Sequence, residues 1–379
     1  MYTKIKYFSG LNALRFFAAV LVVIHHAEQI RLKNGLYNLK QYPIFNNGSI
    51  AVKFFFVLSG FLITYLLLKE RSETNTVLVK KFYLRRILRI WPLYFLLVLI
   101  GTVIIPIALN YLNHPYEMPY SFKDVFVYYV FFSPFMVNLL FGHHFLEPLW
   151  SIGVEEIFYI IWAPLFKFFK KNILFIAIAT IALKSGLLFA FLHIDIKVNS
   201  TAMVLVKMLE FESLAIGGLT AMILFSRKKK IEGSLLFSRL AQVVILIFII
   251  GRLFLTFSLA DHEWLYLLYN TPILSHLLLS VSFAWLIVNV SVNRTSLIKL
   301  SNKVFNLLGE ISYGIYMYHM LVIFSIVLLL KNQLHALSNI SATLFFYSLL
   351  LFLIIAIPYA SKRFFEDYFI HLKNRFRNK

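Results

Sequence analysis

The sequence predicts an all-α membrane protein, a polytopic bundle of about ten transmembrane helices with both termini in the cytoplasm. Three observations carry this. Of 379 residues, 60% are hydrophobic, more than a water-soluble domain of this size can bury. The apolar residues fall in separate continuous runs, many long enough for a hydrocarbon core of roughly 30 Å. Continuous rather than alternating runs exclude a transmembrane β-barrel. The basic residues between the runs are divided very unequally between the two sides, which sets the orientation.

The runs lie at 11–27, 50–68, 88–109, 149–169, 172–193, 203–225, 240–258, 267–290, 307–330 and 341–361. Counting Arg89 and Lys167, at the inner ends of their spans, with the loops, one side of the membrane carries 26 lysines and arginines and the other six, with five deeper inside spans. The crowded side is the cytoplasm, so the formal net charge of +20 reflects membrane topology rather than nucleic-acid binding. The stretch Phe122–Gly142 is aromatic and apolar but contains Pro134. Counting it as a span would place Lys167–Lys171 outside, so it reads as a re-entrant or interfacial helix on the outer side. The first run is read as an uncleaved span, because Arg15 interrupts it and no small-x-small site follows. Residues 1–379 show no linker or repeat and read as a single membrane domain.

Charged residues inside these runs are the candidates for chemistry. Arg15 and His26 sit eleven residues apart in the first run. That is close to three helical turns, so the two share a face about 16 Å apart along the axis. A guanidinium at a helix centre costs about 2.5–3.5 kcal/mol on insertion scales, which turns this face inward. The face then also presents a titratable imidazole near the outer surface, as proton transfer requires. In Leu146–Trp162 the adjacent carboxylates Glu155 and Glu156 follow Trp150 and Ser151, with Ser151 one turn before Glu155. Adjacent helical residues diverge by about 100°, so at least one of the two acids faces the interior. A structural ion pair is the alternative use. At the inner end of the third run, Arg86 and Arg89 share a face and Arg85 flanks it. Arginine forks match phosphate oxygens, though lipid headgroups at a cytoplasmic helix end would draw the same residues. His319 closes Leu308–His319, behind Tyr313, Tyr316 and Tyr318. It reads equally as a core histidine bonded to a tyrosine.

The chain has no cysteine, so thiol chemistry, disulfides and thiolate–zinc sites are excluded. No Gly-rich phosphate loop, metal motif or Ser-His-Asp pattern occurs, and no metal or bound cofactor is expected. The arginines and the histidine-acid group form two clusters, one predicted at each membrane face.

Five stretches, in order, resemble acyltransferase family 3, integral membrane proteins that acylate surface polysaccharides, peptidoglycan, lipids and small molecules. They are Leu11–His26, Phe54–Ile63, Arg85–Tyr94, Leu149–Tyr159 and Leu308–His319, and the resemblance spans about residues 8–366. It implies an Arg-x10-His pair at Arg15 and His26, an Arg-x-x-Arg at Arg86 and Arg89, and a Ser-x3-Glu at Ser151 and Glu155. One departure stands out. Many members carry Arg-x-Asp before a small-residue stretch, where this chain has Glu210-Phe211-Glu212 before Gly217-Gly218. Many members also carry a hydrolase-like domain after the last span, so here a second module is expected to come from elsewhere.

The resemblance implies a bacterial plasma-membrane O-acyltransferase with acyl-CoA, acetyl-CoA by family habit, as co-substrate. The donor phosphates would meet Arg85, Arg86 and Arg89. His26 would act as general base on an acceptor hydroxyl, with Glu155 or Glu156 orienting it and Arg15 neutralising the acid or holding the donor. Trp150, Ser151, Tyr313 and His319 would complete the binding site, with Tyr313 as an oxyanion donor. Direct transfer and an acyl-histidine intermediate both fit these residues. The expected partners are acyl-CoA, a glycan or glycolipid acceptor and membrane lipid, with no nucleic acid. The outer segments Glu28–Ser49 and Asn110–Pro148, with Tyr37, Tyr42, Tyr111, Tyr116 and Tyr120, suit sugar stacking as well as an interfacial aromatic belt. The rival class is a proton-coupled polysaccharide or lipid transporter, which would also place Arg, Glu and His inside the membrane.

Overall fold

The computed structural model describes residues 8, 10–112, 119–131, 133–142, 144–193, 201–255, 268, 269, 271–374 and 376. Lys4, Lys6, Tyr116, His143 and Lys197 lie outside them. Every regular element among the described residues is helical, and nine helices are long and apolar enough to cross a membrane. In chain order the helices are α1 (Leu11–Lys33), α2 (Gly48–Thr74), α3 (Val79–Leu99), α4 (Ile105–Tyr111), α5 (Phe122–Val130), α6 (Pro134–Phe141), α7 (Leu149–Phe168) and α8 (Ile173–His193). They continue with α9 (Thr201–Met208), α10 (Phe211–Glu232), α11 (Arg239–Phe254), α12 (Leu274–Val292), α13 (Lys303–Glu310), α14 (Ser312–Ala336), α15 (Asn339–Ser361) and α16 (Asp367–Asn374).

Nine of the ten predicted runs meet the length and hydropathy of a span. Of the run at 240–258, the residues to Phe254 belong to α11, which has 16 residues. Several runs extend beyond their apolar cores. α1 continues six residues past Ala27 to Lys33, and α3 passes through a π-helical turn at Ile100–Ile104 into α4. The wider turn lies just ahead of Pro106, whose ring removes a backbone donor.

The segment Phe122–Gly142 is two short helices, α5 of nine residues and α6 of eight. At 1.5 Å per residue each is about 12–14 Å long, well short of a bilayer core. Ser121 caps α5: its backbone N–H and its hydroxyl both donate to Asp124 Oδ2, each at 2.8 Å. Those two bonds, the backbone one foremost, hold the Asp124 carboxyl below the usual carboxylate range. Pro134 opens α6 at a position where a missing N–H costs nothing.

The chain forms two compact units, and the division falls inside α1 and α7. One unit holds residues 1–18, 42–77 and 158–309. Its core is α2 packed on α10, with α8 and α12 beside them. Glycine makes this packing possible. A Cβ at Gly60 would strike the Leu214 carbonyl, and one at Gly217 would strike the Val57 carbonyl. In lipid, where apolar side chains gain little by leaving one another, such backbone contact is a main source of helix association. Trp162 closes this core, stacking on Phe158 at 4.7 Å and donating to Thr64 Oγ1 at 2.9 Å. Gly217→Ala is expected to destabilise the protein by about 1–3 kcal/mol, the usual cost of overpacking. Thermal unfolding in detergent would measure it, and an unchanged midpoint would refute the backbone contact.

The other unit holds residues 19–41, 78–157 and 310–379. α14 packs on α15, where a Cβ at Gly314 would lie 2.8 Å from Pro358 Cβ. The end of α1 is clamped to α15. Arg31 donates to Glu28 Oε1 at 2.6 Å and to Thr343 Oγ1 at 2.8 Å, and Tyr347 donates to the same Glu28 oxygen at 2.5 Å. Glu28 also accepts from the Leu39 N–H. Arg31, counted in sequence as a loop cation, is therefore a buried member of α1.

Candidate active site

The second unit brings most of the predicted site residues together, and α14 organises them. Its tyrosines and histidine, Tyr313, Tyr316 and His319, recur every three residues and trace a shallow spiral over about 9 Å. His319 is fully buried. Its Nε2 lies 3.1 Å from His26 Nδ1, and its Nδ1 lies 2.5 Å from the Tyr316 carbonyl. A carbonyl only accepts, so His319 Nδ1 carries the hydrogen and Nε2 is an acceptor. His26 Nδ1 then faces two acceptors, His319 Nε2 and the Val22 carbonyl at 3.0 Å, so it too carries its hydrogen. The basic lone pair of His26 is thereby fixed on Nε2. His25 packs edge-on against the His26 ring, 5.1 Å between centroids. Where the sequence pointed to a carboxylate behind His26, the structure places His319.

Ser151, buried at the start of α7, fixes the middle of the spiral. The Tyr316 hydroxyl and Ser151 Oγ lie 2.7 Å apart and share the Pro148 carbonyl as acceptor, at 2.9 and 3.3 Å. Glu155 stands one turn on from Ser151, half-buried, within electrostatic reach of the Tyr313 and Tyr316 hydroxyls. Trp150 is half-buried on the neighbouring face. The Tyr313 hydroxyl donates to the Ile90 carbonyl at 3.1 Å. Its one proton is thus engaged in joining α14 to α3, an anchoring task rather than that of an oxyanion donor.

The arginines of α3 adjoin the far end of this spiral. Glu156 is buried and accepts from Trp91 Nε1 at 3.2 Å. It also interacts electrostatically with Arg86, which lies over the Phe82 ring at 5.8 Å. Glu156 Oε1 is buried with no hydrogen-bond partner among the described residues. Arg89 is half-buried within electrostatic reach of Tyr313 and Glu366. Arg85 donates to the Phe376 carbonyl at 3.1 Å, so its fork serves the C-terminal segment.

The two clusters expected at opposite faces are therefore joined. Glu156 belongs with the arginines and Ser151 with the histidines, five residues apart on α7, or about 7.5 Å along its axis. A row of polar groups runs from Arg86 and Arg89 through Glu156, Tyr313, Tyr316 and Ser151 to His319 and His26. Two arginines, a carboxylate and a base with a defined lone pair, set in one row, can hold an anionic donor at one end and deprotonate a hydroxyl at the other. Arg15 is half-buried on α1, in the part of that helix that belongs to the first unit.

The first unit holds a charge network that sequence reasoning only glimpsed. Lys53 of α2 pairs with Glu210 and lies 3.5 Å from His276 Nδ1. Lys184 of α8 pairs with Glu212 at 3.1 Å. Ser213 donates to Glu210 at 2.8 Å. Glu210, Glu212 and His276 lie within 4.8 Å of one another, but each carboxylate already has a lysine as its cation. The Glu210-Phe211-Glu212 departure thus has a physical reason. Its acids neutralise two lysines that the apolar runs could not otherwise carry. His276 was missed because nothing beside it in the sequence is charged.

The acyltransferase-domain family profile matches residues 8–362. A protein of Acidianus two-tailed virus, provisionally named an acetyltransferase, is 29% identical over 320 residues, 84% of each chain. A provisionally named O-acetyltransferase of Staphylococcus aureus (strain COL) is 31% identical over 175 residues, 42% of this chain and 24% of its own. The peptidoglycan O-acetyltransferase OatA of Listeria monocytogenes is 26% identical over 174 residues, 44% of this chain and 25% of its own. The chain thus aligns with about a quarter of the Staphylococcus and Listeria proteins. No solved structure matches it. With the family profile covering nearly the whole chain, this multi-pass membrane protein belongs to the acyltransferase family.

Proposed function

We propose that this protein is an O-acetyltransferase of the bacterial plasma membrane, moving acetyl from cytoplasmic acetyl-CoA to a hydroxyl of a surface glycan or glycolipid. The observation that carries the reading is the row of polar groups that begins at Arg86 and Arg89 and ends at His26. The arginines take the donor's phosphates. The acceptor hydroxyl gives its proton to His26 Nε2 as its oxygen attacks the thioester carbonyl. The C–S bond then breaks, and the CoA thiolate leaves and takes up the proton held on His26, which returns to its neutral form. His319 holds the His26 ring in the required tautomer, and Ser151 and Tyr316 brace the helix that carries it. Arg15, close to three turns before His26 on α1, supplies a cation on the same helix face. Glu155 and Glu156 balance the positive charge along the donor's path.

Arg89→Ala is expected to raise the KM for acetyl-CoA about tenfold, the ~1.4 kcal/mol of one charge-assisted hydrogen bond. The KM for the acceptor should move far less. Equal shifts in both constants would remove the arginines from the donor site. The function itself is tested by following radiolabel from acetyl-CoA in membranes that express the protein. Label reaching the surface glycan is the expected result. Neither transfer nor acetyl-CoA binding would overturn the reading in favour of a transporter.

A further inference from the structure

The second unit contains a cavity of about 560 Å³ just beyond the histidine pair, and its lining differs from that of an ordinary lipid-facing crevice. Ile30 and Met320 belong to its wall. Ile30 is one turn after His26 on α1, and Met320 follows His319 directly on α14. Part of the lining is polar. Three carboxamides, Gln29, Asn34 and Asn332, line it together with Lys33, Lys331 and Glu147. Carboxamides and carboxylates pair with adjacent hydroxyls, because each offers two bonding positions in one plane. Two aromatic rings, Phe145 and Phe324, 5.2 Å apart and tilted by 33°, also line it, together with the aliphatic Val327, Leu328 and Leu329. Such rings take up the C–H face of a sugar. His144, also in the wall, is held in one tautomer: its Nδ1 accepts from Tyr120 at 3.1 Å and from the Leu146 N–H at 3.2 Å, so its hydrogen is on Nε2.

We propose that this cavity is the acceptor subsite and that it takes a sugar ring, holding one hydroxyl toward His26. The proposal rests on the acetyl-transfer reading above. Its volume lies within the roughly 300–1,000 Å³ of small-molecule sites. Residues of α1 and of the segment just ahead of α7 line it, so the two outer segments read from sequence as specificity surfaces meet in one place. Aromatic rings and carboxamides in one lining match the two kinds of surface a sugar offers, apolar C–H faces and a hydroxyl rim.

The absence of cysteine gives a direct test that needs no knowledge of the acceptor. Asn332→Cys and Asn34→Cys each place one thiol in the cavity, and Ser72→Cys places one on an exposed turn of α2 outside it. Detergent-permeabilised membranes carrying each variant, open on both faces, are treated with a bulky maleimide, then given labelled acetyl-CoA. Labelling either cavity cysteine is expected to cut transfer to the native glycan at least tenfold while acetyl-CoA binding persists. Labelling Ser72→Cys should leave transfer as it was. Transfer that survives labelling of the cavity would overturn the assignment and leave the enzyme reading intact. Joint loss of transfer and acetyl-CoA binding would assign the cavity to the donor instead. No transfer in the unmodified wild type would overturn the enzyme reading, and with it the subsite.

Discussion

His26→Ala is expected to lower acetyl transfer by about 10²–10⁴-fold, the usual worth of a positioned general base, with folding and membrane insertion preserved. The reasoning starts from hydrogen placement. His26 Nδ1 is committed to the Val22 carbonyl and His319 Nε2, so Nε2 alone can accept a proton. Alanine removes that lone pair but leaves the α1 backbone and the buried His319 in place. His319→Ala should cost less, about tenfold, because the Val22 carbonyl still holds the His26 ring. Its signature is a fall in kcat with the KM for acetyl-CoA little changed. Transfer rates per folded protein, normalised by size-exclusion yield, separate the two variants. Full activity in His26→Ala would remove the base from the mechanism. Equal losses in both would mean that the imidazoles act as one unit.

Glu28→Ala is expected to destabilise the protein by about 3–5 kcal/mol, the cost of leaving a buried charge without its partner. Glu28 and Arg31 are 0% and 2% exposed. The carboxylate gathers a guanidinium, a tyrosine hydroxyl and a backbone N–H. Removing it strands Arg31 between the rings of Phe346 and Tyr347, 5.2 and 5.7 Å from their centroids. The double variant Glu28→Met, Arg31→Met should recover much of the loss, because it removes both desolvation costs together. Denaturant titration in detergent would measure both, and a double variant as unstable as the single one would contradict the ion-pair account. Since Glu28 is two residues after His26, the single variant should also lose activity beyond its loss of folded protein.

The spans were legible because lipid demands unbroken apolar runs, and nearly all of them are helices here. The Arg15 and His26 spacing, the Ser151 and Glu155 spacing and the tyrosine run to His319 were also legible, since each is a local helical pattern. What could not be read was which local pattern faces which. Trp91 meets Glu156 across 65 residues and His319 meets His26 across 293. Nothing in either stretch specifies its partner, so the two clusters looked separate. The Glu28 and Arg31 clamp did leave a signal, an acid and a base three apart. The apolar run was taken to end at Ala27, which placed both in a loop. Gly60 and Gly217 were unremarkable singly, because only their backbone contacts show why a side chain cannot stand there.

The direction of the hydrogen bonds along the row of polar groups bears on the membrane's ion gradients. His319 donates to the Tyr316 carbonyl, Tyr316 to the Pro148 carbonyl and Tyr313 to the Ile90 carbonyl. Each of these strands stops at an atom that accepts a hydrogen but cannot hand one on. A row of titratable groups inside a bilayer could otherwise act as a proton wire and drain the cell's electrochemical potential. Here those three hydrogens end on the carbonyls that orient the side chains, so none of the three bonds relays a proton onward.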